Sequence, residues 1–337
     1  MRSAGLAALA LAALLLSACR GDGEGADRTQ DDAEPAATQP ISKSRPSPSF
    51  RAFVAIEDED LVVILEGPPW RLVRRVGVPS GPHNITADPM GRWVAVSSPP
   101  AGRVTILDSR GRVTARAPAG SGPHDIAFTP RGSLWVSAED SSRIVKLQVP
   151  SGKLVGSRST GGPPHDLAVS ADAGELWVTI DGSAAVEVRA AESGRLLERP
   201  TVGPAPHDVE VAPDDRTVWF SNWDSPLLTL ASLPRRKRIG VLAAGGEPHH
   251  FAFGAGSLWV SDNSGGELLR VDPRSRRIRG RTSVGPEPHH VAAVGGNVLV
   301  AVHARGEVAV VSGRGRLLRR LSVGAGPHGV DVVELPG

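Results

Sequence analysis

The sequence predicts an all-β fold, a seven-bladed β-propeller with four-stranded blades. Three observations predict it. The dipeptide Pro-His recurs seven times, at His83, His124, His165, His207, His249, His289 and His328, with spacings of 41, 41, 42, 42, 40 and 39 residues. Each spacing contains four short stretches rich in β-branched residues and bounded by turn residues, and no window of helical length carries a 3.6-residue period. Residues 51–337 amount to seven units of about 41. Four strands in roughly 40 residues is the pattern of a propeller blade.

The elements of a unit follow in order. A Gly two to four residues before each His marks the turn into the first strand, as before Ile126-Ala127-Phe128. A second turn such as Pro130-Arg131-Gly132 precedes the second strand, typified by Leu134-Trp135-Val136-Ser137. A polar loop leads to a third strand such as Arg143-Ile144-Val145-Lys146-Leu147, and a Gly turn to a fourth. Residues 52–65 align with residues 134–147, so the chain enters at a second strand and leaves at a first, Val330-Asp331-Val332-Val333. The two ends therefore share one composite blade, and such closure removes exposed sheet edges.

The N-terminal residues carry a different message. Arg2 precedes an apolar run over residues 4–16, then Leu16-Ser17-Ala18-Cys19. The run is short for a membrane span, and with its small-residue cleavage site it reads as a secretory signal. Leu-Ser-Ala-Cys resembles the lipobox of bacterial lipoproteins, which implies cleavage before Cys19 and its acylation. Residues 1–18 are thus expected to be a lipoprotein signal peptide. Residues 19–50 are expected to be the lipidated Cys19 and a flexible tether, too poor in apolar side chains to fold. The propeller fills residues 51–337. The expected location is the extracytoplasmic face of a bacterial cell membrane, with the membrane as partner through the lipid and the protein itself monomeric.

Composition narrows the chemistry. Cys19 is the single cysteine, which excludes an intrachain disulfide, a cysteine-based zinc site and an iron–sulfur cluster. Net charge is +2, too balanced for a nucleic-acid binder. There is no phosphate-binding Gly-x-x-x-x-Gly-Lys loop, no Gly-x-Ser-x-Gly elbow and no His-Glu-x-x-His. Basic outer strands, Arg235-Arg236-Lys237-Arg238 and the arginines from Arg274 to Arg281, either protect blade edges or meet an anionic surface.

In a propeller the Pro-His turns open on one face, so seven imidazoles should surround one mouth of the channel. A second ring lies four residues past the blade Trp position: Glu57, Ser98, Glu139, Asp181, Trp223, Asn263 and His303. The seven His are either scaffold, fixing blade spacing, or a binding surface, with His83, His124, His165, His207, His328, Glu139 and Asp181 as ligand contacts. Departures from the repeat mark further candidates. Glu247 and Glu287 precede Pro-His in adjacent blades, and His250 and His290 follow it in the same two. Glu210 and Asp331 occupy a first-strand column otherwise held by Ala or Thr, and Asn222-Trp223-Asp224 places an aromatic on the loop face.

The unit Gly-x-x-Pro-His-x-Ile, followed by Gly-x-Leu-Trp-Val-Ser, resembles the YVTN-type (YncE-like) propeller repeat. It also resembles the repeats of streptogramin (virginiamycin B) lyases and, more distantly, NHL propellers. The lyase resemblance implies a magnesium-associated pattern of Glu-Pro-His plus a Glu on the second ring, with a further His from the preceding blade. Glu287-Pro288-His289 matches, with His249 as the preceding-blade His, but His303 stands at the second-ring position and Leu299 at the Trp position. That exchange tilts a divalent metal held by Glu287, His289 and His303 from magnesium towards zinc. The leading expectation is a binding or scaffold protein, with a small molecule or envelope protein at the mouth. The alternative is a metal-dependent lyase or lactonase-type enzyme using His249, Glu287, His289 and His303.

Overall fold

The computed structural model describes residues 49–172 and 174–335. Their strands form seven four-stranded antiparallel sheets. Numbering blades by their histidines, blade 1 is Ile85–Ala87, Trp93–Ser98, Arg103–Asp108 and Val113–Pro118, and blades 2 to 6 repeat that order along the chain. Blade 7 is composite: Pro327–Glu334 pairs with Phe50–Ile56, which is followed by Leu61–Gly67 and Arg71–Gly77. Ring closure is therefore as the repeat alignment expects. Helical structure among the described residues is confined to three short 3-10 turns. Residues 1–18, Cys19 and nearly all of the tether lie outside the described residues.

The core is divided by the blade interfaces. Seven apolar clusters each join two neighbouring blades, so every sheet is buried on both faces. The blade Trp is the largest side chain in four of them. Trp135, Trp177, Trp219 and Trp259 are fully buried against the following blade. Trp135 also donates from Nε1 to the Ala191 carbonyl of blade 3 at 2.7 Å, which satisfies its one polar atom.

Blade 1 corrects one part of the sequence alignment. Ala95 pairs with Thr86, as Trp135 pairs with Ala127, so Ala95 and not Trp93 or Val94 stands in the Trp column. The second-ring position of blade 1 is then Pro99, and Ser98 is buried with its hydroxyl donating to the Pro79 carbonyl. The turn between the first two strands is one residue longer here than in blade 2, which shifts the register by one.

The basic outer strands are knitted by ion pairs. Arg236 of blade 4 reaches Glu175 of blade 3 at 2.7 Å and Glu198 at 3.4 Å. Arg279 pairs with Asp272 at 2.8 Å and Arg281 with Glu267 at 3.0 Å. No helix of the described residues is long and apolar enough to cross a membrane.

Candidate binding site at the channel mouth

In six of the seven blades Pro-His sits on a β-bulge. In blade 3, Pro164 pairs with Ile180 and Leu167 with Val178, so His165 and Asp166 together oppose Thr179. The same shift occurs in blades 2, 4, 5, 6 and 7. A bulge places two consecutive residues where a regular strand would alternate them, which re-aims side chains. Consecutive residues of each inner strand thereby contribute to neighbouring layers of the channel.

The Ser or Thr two residues after the blade Trp holds this bulge. Ser137 accepts from the Asp125 N–H at 2.8 Å and donates to the His165 carbonyl of the next blade at 2.6 Å. Thr179 repeats both bonds, from Asp166 at 2.8 Å and to His207 at 2.7 Å. These two hydroxyls tie the Pro-His backbones of blades 2, 3 and 4 together. The turn itself is pinned from the second ring. The N–H groups of Glu57, Glu139, Asp181, Trp223, Asn263 and His303 each donate to the carbonyl two residues before the ring His. Pro99 has no such N–H, in keeping with its place in this column.

The seven imidazoles form a closed ring. Successive centroids are 4.8 Å apart for His83 and His124, 4.0 Å for His124 and His165, and 4.3 Å for His165 and His207. They continue at 4.6 Å to His249, 5.1 Å to His289, 4.4 Å to His328 and 3.6 Å back to His83. All seven are thus brought together. The Nδ1 atoms of His124, His165, His249, His289 and His328 are buried without a hydrogen-bond partner. Scaffold imidazoles would be expected to spend these atoms on structural bonds.

The second ring surrounds the first. Glu57 approaches His83 Nδ1 at 3.5 Å, and that hydrogen-bonding contact holds its carboxyl below the usual range. Asp181 accepts from Trp223 Nε1 at 3.3 Å, while Trp223 covers His207 edge-on at 3.9 Å. Glu139 is half-buried, which raises its pKa. Glu287 lies 3.6 Å from His303, whose ring is 5.2 Å from that of His289. Glu287 adopts a left-handed backbone, φ 53°, at the turn position that Gly81, Gly122 and Gly326 fill in blades 1, 2 and 7.

One residue deeper is a polar belt. His290 Nε2 meets Asn84 Oδ1 at 2.9 Å, and Asn84 donates to Asp125 at 3.0 Å. On the other side His250 Nδ1 is 3.3 Å from Asp208. Gly329 is the seventh member, where a Cβ would stand 2.5 Å from the His83 carbonyl oxygen. Below the belt a cavity of about 290 Å³ is lined by Asp125, Asp166, Asp208, Glu210, His250, His290 and Asp331, among others.

Burial sets the charge states. It keeps His250, His290 and His328 well below the usual imidazole range and lowers His83, with His249 brought down to about 4 and His289 to about 3. These rings are free bases at neutral pH, the form that ligates metal. His165 is the exception: burial opposes its charge, but the neighbouring Asp166 carboxylate raises it. Burial pushes Asp125 up to about 7, Glu210 to about 8 and Asp331 to about 6, and Asp208 well above its usual value. Asp166 stays ionised against its burial because Asp208, His124 and His165 face it.

Glu210 gives a testable pH effect. The folded chain keeps its proton up to about 8, whereas an unfolded Glu loses it near 4.5. Between those values the folded state binds more protons, so this contribution to stability falls as pH rises. Glu210→Gln is expected to melt like the native protein at about pH 4.5 and about 4 °C higher at about pH 9, equivalent to about 2 kcal/mol. Parallel melting curves at both pH values would rule out a buried, protonated Glu210.

Four groups bring three ligand atoms within 4.8 Å of one another: Glu57–His83–His328, His124–His165–Asp166, His249–His250–His289 and Asp166–Asp208–His250. Imidazole with carboxylate suits zinc and neighbouring transition ions. The trio expected from the sequence, Glu287, His289 and His303, is not among these groups. Glu57, Asp166 and Asp208 were visible in the sequence only as columns of the repeat, and His250 as a departure from it; their convergence needed the bulge and the ring.

Neither a protein-family profile nor a curated protein sequence matches the chain. Solved structures do resemble it. One is apo AztD from Citrobacter koseri, with TM-score 0.63 and 14% identity over 86% of this chain and 99% of that one. Another, from Bacteroides fragilis, is provisionally assigned as a 6-phosphogluconolactonase, with TM-score 0.72 and 13% identity over 86% and 98%. A third, of unknown function, from Desulfotomaculum acetoxidans, has TM-score 0.74 and 10% identity over 85% and 99%. Identities this low establish the shared propeller fold alone.

Proposed function

We propose that the chain is an exported, lipid-anchored binding protein that captures a divalent transition-metal ion at the channel mouth through Glu57, His83 and His328. One observation carries this reading. Three ligand groups of suitable chemistry converge within 4.8 Å, and the buried His328 Nδ1 has no other partner. Three protein ligands leave a position for water or for a ligand atom delivered by a partner. Zinc is favoured over magnesium because two of the three ligands are imidazoles.

The test is calorimetric. Zinc at about 100 times its dissociation constant stabilises a protein by about 2.7 kcal/mol, so Tm should rise by about 5 °C and fall back with chelator. A change of under about 1 °C at saturating zinc would remove the reading. Anchoring is tested separately. Cys19→Ala is expected to move the protein from the membrane fraction to the soluble extracytoplasmic fraction, and unchanged membrane retention would contradict the lipid anchor.

A second reading, a metal-dependent lyase or lactonase, is favoured by the approach of Glu287 to His303 beside His289. It requires turnover that Glu287→Ala abolishes without loss of folding.

A further inference from the structure

We infer that the channel contains a second, interior cation site, formed by Asp166, Asp208 and His250 one layer below the imidazole ring. It takes a divalent transition-metal ion. The inference rests on the metal-binding reading of the mouth and extends it inward.

The three groups place ligand atoms within 4.8 Å of one another, and all three residues are buried. His250 Nδ1 already stands 3.3 Å from an Asp208 oxygen. Asp166 is 2% exposed, and its Oδ1 has no hydrogen-bond partner. Only imidazole nitrogens approach that oxygen, and a bound cation would engage it directly. The same Asp166 oxygen lies 3.1 Å from His165 Nδ1 and 3.6 Å from His124 Nδ1, two further buried atoms without a hydrogen bond.

Asp166 therefore belongs to two groups at once, one with the ring imidazoles His124 and His165 and one with the interior pair. A shared carboxylate lets an ion pass from ring to interior without ever losing all its protein ligands. The cavity of about 290 Å³ beyond it has room for the ion's remaining waters, with Glu210 and Asp331 as polar partners for them.

Cobalt titration of the full chain, purified in detergent and stripped with chelator, tests this through the visible d–d bands of bound Co²⁺. Asp208 belongs to the interior group alone, and Glu57 and His83 to the mouth group alone. Asp208→Asn is expected to bind one equivalent fewer than the native chain and to keep the mouth equivalent. Asp208→Ala serves the same purpose should Asp208→Asn fail to fold, which melting and circular dichroism would show. The combined Glu57→Gln, His83→Asn variant is expected to lose a different equivalent. A full native count in both interior variants would overturn the interior site while leaving the mouth intact. An equivalent lost only in the interior variants, with none lost in the mouth variant, would uphold the interior site and remove the mouth. No Co²⁺ bound by the native chain would overturn both.

Discussion

A chain ending at residue 326 is expected not to fold. The missing strand, Pro327–Glu334, pairs with Phe50–Ile56 through six residue pairs, from Phe50 opposite Glu334 to Ile56 opposite Pro327. Val330 and Val333 are 2% and 1% exposed and belong to the two apolar clusters on either side of blade 7. The truncation thus damages both interfaces and bares the edge of Phe50–Ile56. An exposed, apolar strand edge recruits other chains. Closure is held by hydrogen bonds and packing alone, since the one cysteine is Cys19. Insoluble or high-molecular-weight material on size-exclusion chromatography is the expected outcome. A monomer melting within a few degrees of the full chain would show that the ring does not depend on its composite blade.

His83→Asn combined with His328→Gln is expected to raise the zinc dissociation constant at least about 100-fold, read by competition with a chelating dye. Loss of mere outer-shell partners costs about 10–100-fold, so removing two direct ligands should cost no less. The pH profile separates a ligand role from a packing role. Burial holds the pKa of His83 and His328 down, and His83 does the same for Glu57. Protons therefore compete less than at ordinary imidazoles, and native affinity should fall by much less than about 100-fold between about pH 7.5 and 5.5. Two exposed imidazoles with ordinary pKa near 6.5 would lose about 100-fold on reaching pH 5.5. A loss of that size would mean that the metal sits on exposed histidines instead. Unchanged affinity in the double variant would exclude these ligands altogether.

The propeller was legible because Pro-His, Trp-Val-Ser and the Gly turns each recur at one fixed place in a unit of about 41 residues. The composite blade was legible for the same reason, as residues 52–65 repeat residues 134–147. Spacing also brought the seven imidazoles to one mouth. Side-chain direction was not legible. A regular strand would send His165 and Asp166 to opposite faces, and only the bulge opposite Thr179 allows both to serve the channel. The bulge leaves no mark in composition beyond the Ser or Thr that caps it. Register within blade 1 failed by one residue because its turn between the first two strands is one residue longer than that of blade 2. The rim arginines read as free charge in the sequence, yet Arg236 is committed to Glu175 and Glu198, 61 and 38 residues away. The departures in blades 5 and 6 drew attention to Glu287 and His303, whereas the tighter groups use repeat columns, Glu57 and Asp166 among them, whose members looked ordinary one blade at a time.

The claim that the imidazole ring is a metal-binding mouth is tested most directly by anomalous diffraction at the zinc edge, on crystals of the protein grown with zinc after chelator stripping. The expected result is an anomalous peak within coordination distance, about 2.0–2.2 Å, of Glu57, His83 and His328. A fully occupied zinc elsewhere on the surface, with no peak inside the ring of seven histidines, would contradict it.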